Sequence, residues 1–160
     1  MLKTEMCYFS GSLRKDDEYM TPKHAWEDIA QVIPRDRVLW EPFFGDGASG
    51  AHLRDLGFTV VHQPEDFFAC EHGDIVVSNP PFSLKRQVLE RLVQLQKPFV
   101  LLMPAQTLHT QYIRSVEGLQ IMVPRKRIQF VKDGQQTNKC NFDCLYFCWR
   151  MGLPRDITFL

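Results

Sequence analysis

The stretch DIVVSNPPFS, residues 74–83, decides how the rest of the chain reads. DIVV is apolar enough for a buried strand, and it runs straight into two prolines. Proline has no N–H to give a sheet ladder, so Pro80 and Pro81 end the strand. What remains is a stiff, extended tip that displays Asn79 and Phe82. The carboxyl ends of strands are where open α/β sheets place their chemistry.

Strand and helix patterns alternate on both sides of this tip. Upstream, RVLWEP (37–42) reads as a short buried strand. GDGASGAHLRDLG (45–57) is a glycine turn followed by a helix that stops at Gly57, and FTVVH (58–62) is a second strand. Before them, Asp16, Asp17 and Glu18 lead into YMTPKHAWEDIAQVIP, where Thr21 suits an N-cap and Pro22 the first helical position. Downstream, LKRQVLERLVQLQ (84–96) is an amphipathic helix with Val88, Leu92 and Leu95 on one face. PFVLLMP (98–104) and LQIMVP (119–124) are strands, and QTLHTQYIRSV between them is a helix. RIQFV and CLYFCW form a terminal strand pair across the turn-rich KDGQQTNKCN. Such alternation predicts an α/β fold with a mostly parallel sheet, helices on both faces and an antiparallel C-terminal strand pair at the edge.

A chain of 160 residues is enough for one domain, here 1–160, with one core. No run of apolar residues is long enough to span a bilayer, and MLKTEMCYFS lacks the apolar stretch of a secretory leader. The five cysteines are odd in number and show no CxxC pair, which favours reduced thiols and an intracellular setting, cytoplasmic, nuclear or viral in origin. Net charge is zero but uneven. Residues 41–80 carry one basic and seven acidic side chains, whereas residues 121–160 carry seven basic and three acidic. Two differently charged surfaces suggest two different ligands.

Three blocks, YMTP (19–22), EPFFGDGASG (41–50) and SNPPF (78–82), resemble in form and order the motifs of class I S-adenosylmethionine-dependent methyltransferases of the amino-methylating branch. The resemblance runs from Tyr19 to about Trp149 and implies a Rossmann-like fold. It places S-adenosyl-L-methionine against Tyr19, Thr21, Pro22, Glu41, Pro42, Phe43, Gly45, Gly47, Asp66, Phe67 and Asn79. Glu41 would meet the cofactor's ammonium group, and Gly45 and Gly47 would let the backbone approach its carboxylate. Asp66 and Phe67, in EDFF (65–68), would stand beside its adenine ring. The acidic residue that the family places at the end of the second strand, for the ribose hydroxyls, is absent. VVHQPED puts His62 or Gln63 there, with Glu65 near by.

The resemblance implies methyl transfer to a nitrogen. Such an amine is a poor nucleophile, because its lone pair is delocalised. Two acceptors facing its N–H groups favour the geometry of attack. Asn79 and the carbonyl of Pro80 supply them, with Pro81 stiffening the pair and Phe82 stacking on a flat target. Adenine, cytosine and a glutamine amide all satisfy that logic. Phe82 and the basic second half favour adenine N6 in DNA or RNA. Arg125, Lys126 and Arg127, with Lys85 and Arg86 behind the tip, are the expected phosphate contacts. A protein glutamine methyltransferase and a non-catalytic cofactor- or RNA-binding scaffold subunit remain as alternatives. With no room for a separate target-recognition domain, the target is structured or single-stranded RNA, loosely specified DNA, or one chosen by a partner subunit. No His or Cys spacing marks a metal site; Cys144 and Cys148 read as buried thiols on one strand face.

Overall fold

The computed structural model describes residues 19–136 and 142–160. Asp16, Asp17, Glu18 and Cys140, noted in the sequence, lie outside them. The described residues form α1 (Lys23–Glu27), β1 (Val38–Trp40), α2 (Ala48–Asp55), β2 (Thr59–Val61), β3 (Ile75–Ser78), α3 (Lys85–Gln94) and β4 (Phe99–Pro104). β5 (Gln120–Val123), β6 (Val131–Lys132), β7 (Gln135–Gln136), β8 (Cys144–Trp149) and β9 (Ile157–Phe159) follow.

Among the described residues the sheet has seven strands in the order β2-β1-β3-β4-β8-β5-β9. β8 runs antiparallel to both of its neighbours, and every other pairing in this sheet is parallel. The sheet is mostly parallel, as the alternating pattern predicts, and the architecture is Rossmann-like, as the resemblance implies. Strand order turns back between β1 and β3, where such sheets open a crevice.

Alternation along the strands builds a core on each face. Val100 and Leu102 of β4 join Ala25, Trp26 and Leu53 on one side. Phe99, Leu101 and Met103 join Val88, Leu89 and Leu92 of α3 on the other. Helices therefore cover both faces. Cys144, Tyr146 and Cys148 share the first face, as the four-residue thiol spacing predicts.

Four local expectations change. CLYFCW is not an edge strand. It inserts between β4 and β5 because both of its faces are apolar, and an edge would leave one of them wet. The separate antiparallel pair is the small hairpin β6–β7, turning at Asp133 and Gly134, both at positive φ. QTLHTQYIRSV forms two short 3-10 segments, Ala105–His109 and Tyr112–Ser115, rather than one helix. The first helix is also short: Pro22, in an extended conformation, is its N-cap and no side chain caps it, so Thr21 does not take that role.

Candidate active site at the carboxyl edge of the sheet

The motif blocks converge where β1, β3 and β4 end. Met20 forms an isolated antiparallel bridge with Val131, with N–H···O distances of 2.7 and 2.9 Å. That bridge holds Tyr19 over the tip beyond β3. Asn79 Nδ2 donates to the Tyr19 carbonyl at 3.3 Å. Because a carbonyl only accepts, this contact turns the side-chain oxygen of Asn79 the other way. That oxygen is buried and has no hydrogen-bond partner among the described residues. Buried acceptors are nearly always paired, so an exception at a strand end marks a place where a donor is missing. Pro80 and Pro81 are buried beside it, and Phe82 is half-buried at the start of a 3-10 turn leading into α3.

Aromatic rings close around the tip. Phe82 meets Phe142 edge-on at 4.9 Å, and Tyr19 meets Phe142 at 5.7 Å and Phe130 at 6.2 Å. Lys132 lies 4.9 Å from the Tyr19 ring centroid. Phe130 and Phe142 were not legible as site residues, since they flank a turn with no motif of its own.

Glu41 sits at the end of β1 and is 1% exposed. Its Oε1 accepts from Ser78 Oγ at 2.5 Å and from the Phe43 amide at 3.2 Å, and its Oε2 accepts from Ser49 Oγ at 2.7 Å. Trp26 Nε1 donates to Ser49 Oγ in turn, at 3.0 Å. The carboxylate thus ties β1, β3, α2 and α1 together. Burial outweighs these donors and raises its pKa to about 7. Ser78 was the missed signal: a hydroxyl closing the apolar run IVV of a buried strand needs a partner.

The glycine turn is built for close approach. Gly45 and Gly47 have φ of 57° and 84°. A Cβ on Gly45 would stand 3.0 Å from Met20 Sδ, so the first two motif blocks touch here. Gly47 is the N-cap of α2. Thr21 and Pro22 are buried alongside, as are Pro42 and Phe43.

His62, at the position of the absent acidic residue, is 5% exposed. Its Nδ1 is 2.7 Å from the Glu41 carbonyl, and its ring stacks on Phe44 at 4.8 Å. Desolvation lowers its pKa. Gln63 is exposed and Glu65 half-buried. Asp66 Oδ1 accepts from the Phe68 amide at 2.9 Å, closing a turn. Phe67, expected on a ring face, is instead fully buried against Trp40 and Phe43, with centroids 5.4 and 5.2 Å away.

The basic residues do not act alike. Arg125 and Lys126 are exposed just beyond β5, on this same edge. Arg127 pairs with Asp143 at 2.9 Å, and Arg86 with Glu90 at 2.8 Å. Lys85 is half-buried at the first position of α3.

No family model matches the chain, and no curated protein does. Among solved structures it is similar to a candidate RNA methyltransferase from Pyrococcus horikoshii. Identity is 16%, the match covers 91% of this chain and 92% of that one, and the TM-score is 0.49. A likeness that slight does not bear on activity. No helix among the described residues is long and apolar enough to cross a membrane.

Proposed function

We propose that the chain is an S-adenosylmethionine-dependent methyltransferase acting on the exocyclic N6 amine of adenine in nucleic acid. The observation that carries this reading is the buried side-chain oxygen of Asn79 just beyond β3, which has no partner among the described residues. It fits one N–H of a flat amine, and the Pro80 carbonyl fits the other. The Tyr19 contact holds the Asn79 amide and the two prolines stiffen the backbone before substrate arrives, which is how a site without a general base can favour attack.

Bound S-adenosylmethionine would supply the methyl group to the N6 lone pair and leave as the neutral thioether, and the nitrogen would release one proton to water. Asn79 and Pro80 draw on the two N–H groups and so return electron density to the nitrogen. Phe82 offers a face to the base. In a duplex the base must first leave the stack.

The cofactor's carboxylate would lie against the turn at Gly45 and Gly47. Three of the roughly four acceptor positions on Glu41 are already taken, so an ammonium group would use the remaining one. Phe43, backed by Phe67, forms an apolar wall, and Asp66 has a second oxygen to offer the adenine amine. Thr21 and Pro22, with Tyr19 above them, line the methionine end. Arg125 and Lys126 are the cations best placed for phosphate, with Lys85 near the tip. Target choice rests on these contacts or on a partner subunit.

The test offers labelled S-adenosylmethionine with duplex DNA, single-stranded DNA, structured RNA and a Gln-containing peptide, followed by digestion and identification of the methylated unit. N6-methyladenine is the expected product. Methylglutamine as the product would overturn the adenine assignment. Cofactor binding without transfer to any substrate would point to a scaffold role instead.

A further inference from the structure

The connection between β2 and β3 brings together three side chains that ligate metals. The Glu65 carboxylate, Cys70 thiol and His72 imidazole each offer one atom, and these atoms all lie within 4.8 Å of one another. His72 Nε2 is 2.7 Å from Glu65 Oε2. Cys70 Sγ donates to the Asp66 carbonyl at 2.9 Å.

The backbone beneath them is held from outside the loop. Arg91, on α3, donates to the Phe67 and Cys70 carbonyls, each at 2.9 Å. Lys97 donates to the Gly73 carbonyl at 2.7 Å and draws the neighbouring Glu71 away at 2.9 Å. The His72 ring stands edge-on to Trp40, 5.7 Å between centroids. The cluster is therefore fixed in place without any ion, and about a third of the His72 side chain and more of Glu65 remain open to solvent.

We propose that Glu65, Cys70 and His72 bind one divalent transition cation of the zinc class, with a fourth position open to water. The donor set of one sulfur, one nitrogen and one oxygen suits zinc and excludes the hard cations that require oxygen ligands. Tetrahedral bonds of about 2.0–2.3 Å put ligand atoms roughly 3.3–3.7 Å apart. The present separations, from 2.7 Å to at most 4.8 Å, bracket that spacing. Binding would exchange protons now shared within the cluster for the cation and would lock the segment that carries Asp66 and Phe67. The site stands independently of the proposed methyl transfer.

The test titrates Co2+ into the metal-free full chain and follows its absorbance. One equivalent with a thiolate-to-cobalt band is expected, displaced by Zn2+. Cys70→Ser should abolish the band, and His72→Ala should weaken binding by about 100-fold or more, since losing even an outer-shell partner costs 10–100-fold. Glu65→Gln is the variant least able to disturb folding and should weaken binding in the same direction. Circular dichroism of each metal-free variant separates lost binding from lost fold. No thiolate band in the parent, or an unchanged band in folded Cys70→Ser, would overturn the site.

Discussion

Asn79 and the carbonyl of Tyr19 are joined by a 3.3 Å hydrogen bond that fixes which way the Asn79 amide faces. Tyr19 is itself held by the bridge from Met20 to Val131. The N-terminal motif and the hairpin after β5 thus cooperate to aim one oxygen, which has no partner among the described residues. The orientation of that oxygen is a property of three distant segments and not of the SNPPF tip alone.

The buried Glu41 predicts an unusual pH dependence of stability. Its folded pKa of about 7 lies above the usual 4.5, so the native state holds a proton that the unfolded chain releases. Stability from this group is therefore present below pH ~4.5 and is lost as pH rises towards 7, by about 3 kcal/mol in all. Glu41→Gln should lack that loss. Urea midpoints of the two proteins, measured from pH 4.5 to 8, should diverge steadily, with the parent falling relative to the variant as pH rises. Parallel curves would contradict it. His62, whose pKa is lowered, contributes the opposite slope at acid pH in both proteins.

Gly50 should resist even alanine. A Cβ there would stand 2.3 Å from His62 Cδ2, and the ring is pinned by the Glu41 carbonyl and by Phe44. Alanine usually stabilises a helix interior by about 1 kcal/mol over glycine. Gly50→Ala should instead destabilise by about 1–3 kcal/mol in denaturant titration. Pairing it with His62→Ala should recover much of that cost. A stabilised single variant would refute the packing described here.

Arg125 and Lys126 should contribute affinity without sequence preference. Replacing both with alanine should weaken nucleic-acid binding about equally for all sequences and lower the salt slope by about 2. Arg127→Ala should have a smaller effect on the slope, because its guanidinium is engaged by Asp143. Fluorescence anisotropy across a salt series reads both. An unchanged slope in the double variant would move the nucleic-acid surface elsewhere.

Much of the fold was legible because β1 to β4 and α2 and α3 obey local rules. Glycines and prolines punctuate them, and their apolar periods match their elements. The position of β8 was not legible, because pairing across a sheet is a long-range choice that a strand's own sequence does not state. Helix propensity also failed at 105–116, where local 3-10 turns were favoured over one longer helix. The motif residues Asn79, Glu41, Gly45 and Gly47 were readable from their blocks. The partners that fix them, Ser49, Ser78 and Val131, were not, because each is an ordinary residue made important by what the fold sets beside it.

The most direct test of the account compares methyl transfer by the parent and by Asn79→Ala at saturating S-adenosylmethionine, with cofactor affinity measured on both. Removing a preorganised hydrogen-bonding group from a transition state costs about 100-fold or more. N6-methyladenine formation should fall by that amount in Asn79→Ala, with cofactor affinity retained. Transfer at the parent's rate by folded Asn79→Ala would contradict it.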